Sequence, residues 1–429
     1  MHSNRLIRLE NVLDSFYENP FVGPILMALF FMPQEYAIGA IAFKVWQYAQ
    51  MIVFLISFIT ILLKKESSIR WLLLCGFYFL FYIVSSAING AYAVLSSNIY
   101  ECARGIAFIS LCEHYYQRSP RELLRTIAIG GGLMCLLHVL SVAGVLLGVI
   151  PKFNPTPLGS YKIAGINYFF LTYDNESIFY LLPAIVALLL FGWGFSRQSL
   201  IAGICLLVIT VTEFLILETV TGIASLLVFI FGIIVALIVM KHKGSRVQLP
   251  YTAIYLFLIV AAFVVCALIV VGVSSGVLAR VAISMGKDGT FSGRSEIWNH
   301  AFSSILSHPL VGRGREGFEI TTSVIGQTHV HNILLELLYT GGVATLGLYL
   351  GGVIACAVSL KDKRLDVVAF LVAMGGIAAF YLAAYMDWYP SIPVTIFLFY
   401  SPGLICRGAH HYRFCQIPMR PDDAKNAAR

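Results

Sequence analysis

Residues 328–332 read Thr-His-Val-His-Asn, and the apolar run ILLELLYTGGVATLGLYLGG follows at once. A helix opening there leaves its first backbone N–H groups unpaired and carries a partial positive charge at that end. That field favours neutral imidazole, and neutral imidazole near physiological pH takes a proton from a hydroxyl. His331 is therefore a candidate general base, with a capping or interfacial histidine as the plainer alternative. His329 and His331 share one face of an extended segment, as a metal pair would. No third ligand is spaced to join them, so no metal is expected.

The same polar stretch, about 276–331, holds Arg280, Lys287, Arg294, Arg313 and Arg315 against Asp288, Glu296, Glu316 and Glu319. Two readings stand. Long folded loops tolerate charge, or the arginines form an anion site, since a guanidinium offers five donors in a rigid fork suited to phosphate. Residues 293–309 place Ile297, Trp298, Phe302, Ile305 and Leu306 at helical spacing, an amphipathic helix that His308–Pro309 would end. VGRGREGF, 311–318, then reads as a glycine turn that would bring backbone N–H groups and Arg313 up to a phosphate.

Arg104 lies inside an apolar run with Glu101 three residues earlier, on one helix face. Ionisable groups inside a membrane are functional candidates by default; a structural Arg–Glu pair is the alternative. Asp174, Glu176, Glu213, Glu218 and Asp387 fall at helix ends, where they would bind sugar hydroxyls or pair with the arginines. Tyr161, Tyr168, Phe169, Phe170 and Tyr173 would stack on sugar rings or form an interfacial belt.

These groups need a scaffold, and composition says which kind. The 429 residues are 59% hydrophobic and 12% charged, with a mean hydropathy of +0.83. Lipid must be the solvent for most of such a chain. The net charge of +7 is scattered over short loops and is no nucleic-acid signal. Of nine cysteines, Cys75, Cys135, Cys205, Cys266 and Cys356 lie in apolar runs and none forms a CxxC, so buried thiols are expected. The polar N-terminus shows no cleavable signal, which leaves targeting to the first span.

A span needs roughly 20 apolar residues. Twelve candidates appear, at about 21–36, 38–63, 71–96, 98–116, 125–150, 176–195, 199–217, 219–240, 251–275, 332–357, 367–385 and 391–406. Twelve spans with both termini cytoplasmic put every basic short loop on one side. The expected architecture is an all-α polytopic membrane domain over 1–429, with a partly helical extracytoplasmic catalytic loop, 276–331, between the ninth and tenth helices. Residues 407–429 form a cytoplasmic tail.

The ordered set Gly293–Arg294, Trp298, Pro309–Leu310–Val311–Gly312–Arg313–Gly314, His331–Asn332 and Gly341–Gly342 resembles the O-antigen ligase/polymerase superfamily of membrane glycosyltransferases. The resemblance implies transfer of a glycan from a polyprenyl-diphosphate carrier to an acceptor hydroxyl at the outer face of the bacterial inner membrane. No nucleotide sugar, metal or other cofactor is implied. Partners would be the carrier-linked donor, a glycan or lipid-linked acceptor and membrane lipids. Carried over, His331 is the base and Arg294 the principal diphosphate clamp. Arg313, Arg315, Arg104, Asn332, Glu218 and Trp298 are the expected substrate-binding residues. In one position the chain departs from the pattern: Thr219–Val220–Thr221–Gly222 has Val220 where many members carry a basic residue, and Arg104 is the candidate replacement. A repeat-unit polymerase is the leading expectation, an O-antigen ligase the alternative. A secondary transporter is the rival of another class, although the two halves show no matching pattern.

Overall fold

In lipid a backbone N–H or C=O has no water to bond, so an apolar run must satisfy itself as helix. The computed structural model describes residues 2–151, 169–173, 176–243, 248–276, 280, 294–327, 329–361, 363–388 and 390–406. All regular elements among these are helical, and one isolated bridge pairs Leu365 with Cys406. In chain order they are α1 (His2–Glu18), α2 (Val22–Ala28), α3 (Glu35–Ile38), α4 (Ala40–Leu63), α5 (Ile69–Phe79), α6 (Leu95–Arg118), α7 (Pro120–Leu146), α8 (Ile178–Phe195), α9 (Arg197–Ile216), α10 (Val220–Lys243) and α11 (Tyr251–Ser274). The loop helices α12 (Arg294–Ser307) and α13 (Phe318–Ile325) follow, then α14 (Ile333–Val358) and α15 (Val367–Ala384).

Among the described residues, nine helices are long and apolar enough to cross a membrane: α4, α5 continued to Ile88, α7, α8, α9, α10, α11, α14 and α15. Each coincides with an expected span. The other three expected segments fall outside this set, two because their helix is short or broken and one because its continuous helix is too polar. Residues 21–36 give only the seven-residue α2 before the chain turns at Pro33. The segment 98–116 lies in the 24-residue α6, which carries Glu101, Arg104, Glu113 and Arg118. The segment 391–406 becomes the short turns Pro393–Ile396, Phe397–Tyr400 and Ser401–Gly403. All three are largely buried in protein, where broken or polar helix is tolerated. The spans themselves divide into two kinds. In α8 and α15 most of the span is enclosed, 89% and 83%, against 22–50% in the other seven, so these two form the centre and the rest face lipid.

At the end of the bundle away from residues 329–331 a polar network ties helices together. Arg70 forks onto Glu113 at 2.7 and 2.8 Å, and Tyr400 donates to the same carboxylate at 3.0 Å. His114 meets Glu66 at 2.6 Å, while Lys64 and Arg118 both reach Asp14 and so dock α1. Among the described residues the cysteines are unpaired thiols and mostly buried, as their apolar surroundings predict, although Cys205 and Cys406 are exposed.

Two departures from ideal helix shape the opposite end. α5 continues through a π turn, Leu80–Val84, into Ser85–Ile88; such bulges frequently mark functional sites. α14 breaks at Gly342, whose φ of 64° is open only to glycine without strain. The break frees backbone N–H groups inside a span, and the loop supplies their acceptors. Val343 N–H donates to the Pro309 carbonyl at 2.9 Å and Ala344 N–H to Leu310 at 3.1 Å. The fit is close: a Cβ on Gly342 would lie 2.4 Å from the Leu310 carbonyl, and one on Gly312 2.5 Å from Thr340 backbone. The glycine pair and the Pro-Leu-Val-Gly turn of the sequence are two halves of one joint.

Candidate functional site

α14 begins at an Asn332 cap, where the sequence had offered Asn332 as a substrate-binding residue. Asn332 Oδ1 accepts from the N–H groups of Leu334 and Leu335 at 3.0 and 3.1 Å, and its amide donates to the Tyr385 carbonyl at 3.0 Å. The side chain is wholly buried and committed to the cap, so its place is beneath the turn rather than against a substrate. Trp298 is equally enclosed. It packs against Val270, Ile325, Leu335 and Tyr339, and its indole N–H donates to the Val330 carbonyl at 3.0 Å. Val330 N–H in turn donates to Glu336 at 3.0 Å. These bonds hold His331 at φ 55°, a left-handed conformation unusual for a side chain with a Cβ. Strain of this kind persists only where surroundings enforce it, and it clusters at functional sites.

The strained turn brings both histidines to Asp387. His329 Nε2 lies 2.8 Å and His331 Nδ1 3.3 Å from the same oxygen, Oδ1. Tyr173 donates its hydroxyl to Oδ2 at 3.0 Å. The two imidazole rings lie against each other with centroids 3.6 Å apart and planes tilted at 48°. Arg294, opening α12, donates to the carbonyl of Met386, next to Asp387, at 3.2 Å. Burial lowers the pKa of His329 to about 4, helped by the charges of His331 and Arg294 and outweighing Asp387. Burial by itself pushes the Asp387 carboxyl up, but the charges and hydrogen bonds of the two histidines together prevail and hold it well below the usual carboxylate range. His329 is thus neutral and Asp387 ionised at pH 7. An ionised carboxylate facing His331 Nδ1 fixes a proton there and leaves the lone pair on Nε2, the arrangement a general base needs.

The expectation that no third ligand joins the histidines is corrected here. His329, His331 and Asp387 present ligand atoms all within 4.8 Å of one another, a donor set able to hold a metal ion. Spacing along the chain could not reveal this, because Asp387 comes from the end of another helix.

Two cavities adjoin the cluster. The inner one, about 220 Å³, is lined by His329, Glu336, Tyr82 and Arg315 among others. The outer one, about 410 Å³, is lined by Arg104, Glu101, Tyr173, Glu176 and again Arg315. Arg315 and Ser391 belong to both. Arg104 pairs with Glu101 at 2.7 Å and lies 2.8 Å from the Met32 sulfur. Among the described residues, Nε of Arg104 and Nη1 of Arg315 are buried without a hydrogen-bond partner. Buried guanidinium donors left open are costly, and an anionic ligand between them would satisfy both.

The glycine turn plays a different part from the expected one. Its N–H groups at Arg313 and Gly314 donate to the Tyr339 and Thr340 carbonyls, both at 2.8 Å, and Arg315 N–H to Ser86 Oγ at 2.9 Å. They are engaged by the fold and form no phosphate cradle. Arg313 pairs with Glu316 at 2.9 Å, which holds its own pKa up against burial, and it lines neither cavity. Arg315 is the turn's contribution to the site. Glu218 is exposed at the α9–α10 turn, outside both cavities, and Glu213 pairs with His138 at 3.3 Å. Tyr173 joins Asp387 rather than a belt; Tyr161, Tyr168, Asp174, Lys287, Asp288 and the tail from 407 lie outside the described residues.

Sequence reasoning missed Glu336 and Tyr82. Glu336 stood in the quoted apolar run, and an acid one turn into a span was itself a signal. Tyr82 carried none.

The loop joint, the cap and the histidine turn all fall in one stretch of chain. Residues 214–350 match the O-antigen ligase family. The matched segment runs from the end of α9 to the middle of α14, and it supports the O-antigen ligase/polymerase superfamily inferred from the motifs. It contains His331, Arg294 and Arg315, whereas Asp387, Arg104 and Tyr173 come from outside it. No curated protein matches the chain. A match to the O-antigen ligase family over residues 214–350, on a bundle of apolar spans, supports a membrane glycosyltransferase of the ligase/polymerase type.

Proposed function

We propose that the protein transfers a glycan from a polyprenyl-diphosphate carrier to an acceptor hydroxyl at the outer face of the membrane. The observation that carries this reading is the Asp387–His331 pair beside Arg294, next to a cavity with two open guanidinium donors. The diphosphate occupies the outer cavity between Arg104 and Arg315, with Arg294 close to the reacting centre. Arg104 thereby takes the role of the basic residue replaced by Val220.

The acceptor hydroxyl gives its proton to His331 Nε2 as its oxygen attacks the anomeric carbon. The bond from that carbon to the diphosphate breaks, and the electron pair leaves on a phosphate oxygen facing the arginines. One base and one displacement predict inversion at the anomeric carbon, with no step that calls on a metal. Alignment supplies most of the acceleration, worth about 7–11 kcal/mol in well-oriented systems, and the base roughly 10²–10⁴-fold. The topology that suits this chemistry is twelve crossings, both termini cytoplasmic and the 276–331 loop outside, all within one membrane domain.

A second carrier-linked repeat is the acceptor we assign, which makes the protein a repeat-unit polymerase. The ligase reading, with a final acceptor such as lipid A-core, is favoured by the description of the matching family. Purified protein incubated with polyprenyl-diphosphate glycan decides between them. Longer carrier-linked chains support the polymerase; transfer only to an added lipid acceptor supports the ligase. Movement of sugar across proteoliposomes with no covalent product would overturn both in favour of a transporter.

A further inference from the structure

The diphosphate reading leaves the inner cavity without an occupant. Its volume of about 220 Å³, roughly half that of the outer cavity, leaves room for a sugar ring. Its walls are of two kinds. The π turn of α5 contributes Phe81 and Tyr82, both buried, with ring centroids 5.0 Å apart and planes at 69°. Across from this apolar corner stand Glu336, Thr340 and Thr321. Glu336 already accepts from Val330 N–H at 3.0 Å and from the Thr340 hydroxyl at 3.2 Å, and so is fixed in place. A carboxylate has about four acceptor sites, so capacity remains for hydroxyl donors.

Tyr82 already stacks on Tyr78 and lies under the Arg315 guanidinium at 5.2 Å, so the corner offers apolar ring edges; such edges beside fixed acceptors for hydroxyls suit a small polar ring. The position fits too. His329 lines this cavity and bonds Asp387, while Arg315 stands between it and the outer cavity. A ring held here lies on the other side of Arg315 from the diphosphate, against the reacting centre. Glu336, Thr340 and Thr321 favour a ring bearing hydroxyl or amino groups on that side.

We propose that the inner cavity is a subsite for one pyranose ring at the reacting end of the glycan, with Tyr82, Thr321 and Glu336 selecting which sugar is accepted. The proposal rests on the glycosyltransferase reading above. The ring belongs either to the donor, directly on the diphosphate, or to the acceptor's terminus; the chemistry is shared and the experiment separates them.

The test is direct binding to the full chain in detergent, so it does not depend on turnover. Three probes are used: carrier-linked glycan from cells that make it, the same glycan released from its carrier, and sugar-free polyprenyl diphosphate. Thr321→Leu fills the cavity. It is expected to weaken one sugar-bearing probe about tenfold, the effect of an overpacked contact, and to leave sugar-free carrier within about twofold. Loss on the carrier-linked glycan alone assigns the ring to the donor; loss on the released glycan assigns it to the acceptor. Unchanged binding of both sugar-bearing probes overturns the proposal. Should Thr321→Leu weaken all three, the isosteric Thr321→Val decides: the selective pattern upholds the subsite, and its absence overturns it. Failure of the glycosyltransferase reading shows separately, as wild-type protein that binds carrier-linked glycan without forming a product.

Discussion

Oδ1 of Asp387 lies 3.3 Å from Nδ1 of His331, a partner 56 residues earlier in the chain. The contact gives His331 a fixed tautomer, and with it a direction for proton transfer. His331→Ala should therefore retain the fold in detergent and lose roughly 10²–10⁴-fold in transfer, as removal of a general base does. Full activity in that variant would remove the base assignment. Product assay alongside size-exclusion chromatography checks both halves.

Asp387→Asn separates orientation from packing. The amide is nearly isosteric but can present an N–H to His331, which turns the imidazole to the wrong tautomer. The expected result is a loss comparable to that of His331→Ala with substrate binding little changed. A variant that keeps its rate and loses only affinity would make Asp387 part of the binding wall instead.

The two arginines of the glycine turn should behave differently. Arg315 lines both cavities, whereas Arg313 lines neither and pairs with Glu316. Arg315→Lys should cost most of the activity, because a point charge does not replace a planar fork, and Arg294→Lys should do likewise. Arg313→Ala should stay within a few-fold of wild type, the size of a partly exposed ion pair. Equal losses at 313 and 315 would argue against the cavity assignment.

Acid should loosen the site before it touches the rest. Between the ordinary histidine value of 6.5 and about 4, an unfolded chain binds a proton that folded His329 refuses. Stability contributed by neutral His329 is present above 6.5 and falls as pH drops through that window. Asp387, held below its ordinary range, adds a loss in the same direction at lower pH. Melting temperature in detergent should decline from pH 6.5 to 4, and less steeply in His329→Gln. Parallel curves would show that His329 does not titrate as its burial implies.

Gly342→Ala tests the joint. The new methyl meets the Leu310 carbonyl at 2.4 Å in a backbone with φ 64°. Overpacking and left-handed strain each cost about 1–3 kcal/mol, so a marked drop in melting temperature is expected. A rise would mean that the break is not needed.

Much of this was legible in the sequence because it is local. Nine spans followed from run length, and α12 from the spacing of Ile297, Trp298 and Leu306. The start of α14 followed from the polar stretch giving way to an apolar run, although its cap proved to be Asn332, which had been expected to bind substrate. What escaped depended on distant chain segments meeting. Asp387 looked like any acid at a helix end until α15 brought it under the histidine turn. Arg313 and Arg315 have the same type and nearly the same neighbours, and only the docking of their turn on Ser86 and Thr340 sends one inward. The breaks in segments 21–36 and 391–406 were not legible, because an apolar run looks the same whether it is a whole helix in lipid or short turns buried in protein.

The hydrogen bonds from Val343 and Ala344 to the Pro309 and Leu310 carbonyls mean that the tenth hydrophobic segment is left incomplete until the preceding loop is seated on it. Residues 309–314 and 340–344 are in effect a lock and its key cut from the same sequence. A chimaera that imports one from a relative must import the other, so sequence change has freer play elsewhere, as in the cavity walls around Tyr82 and Thr321.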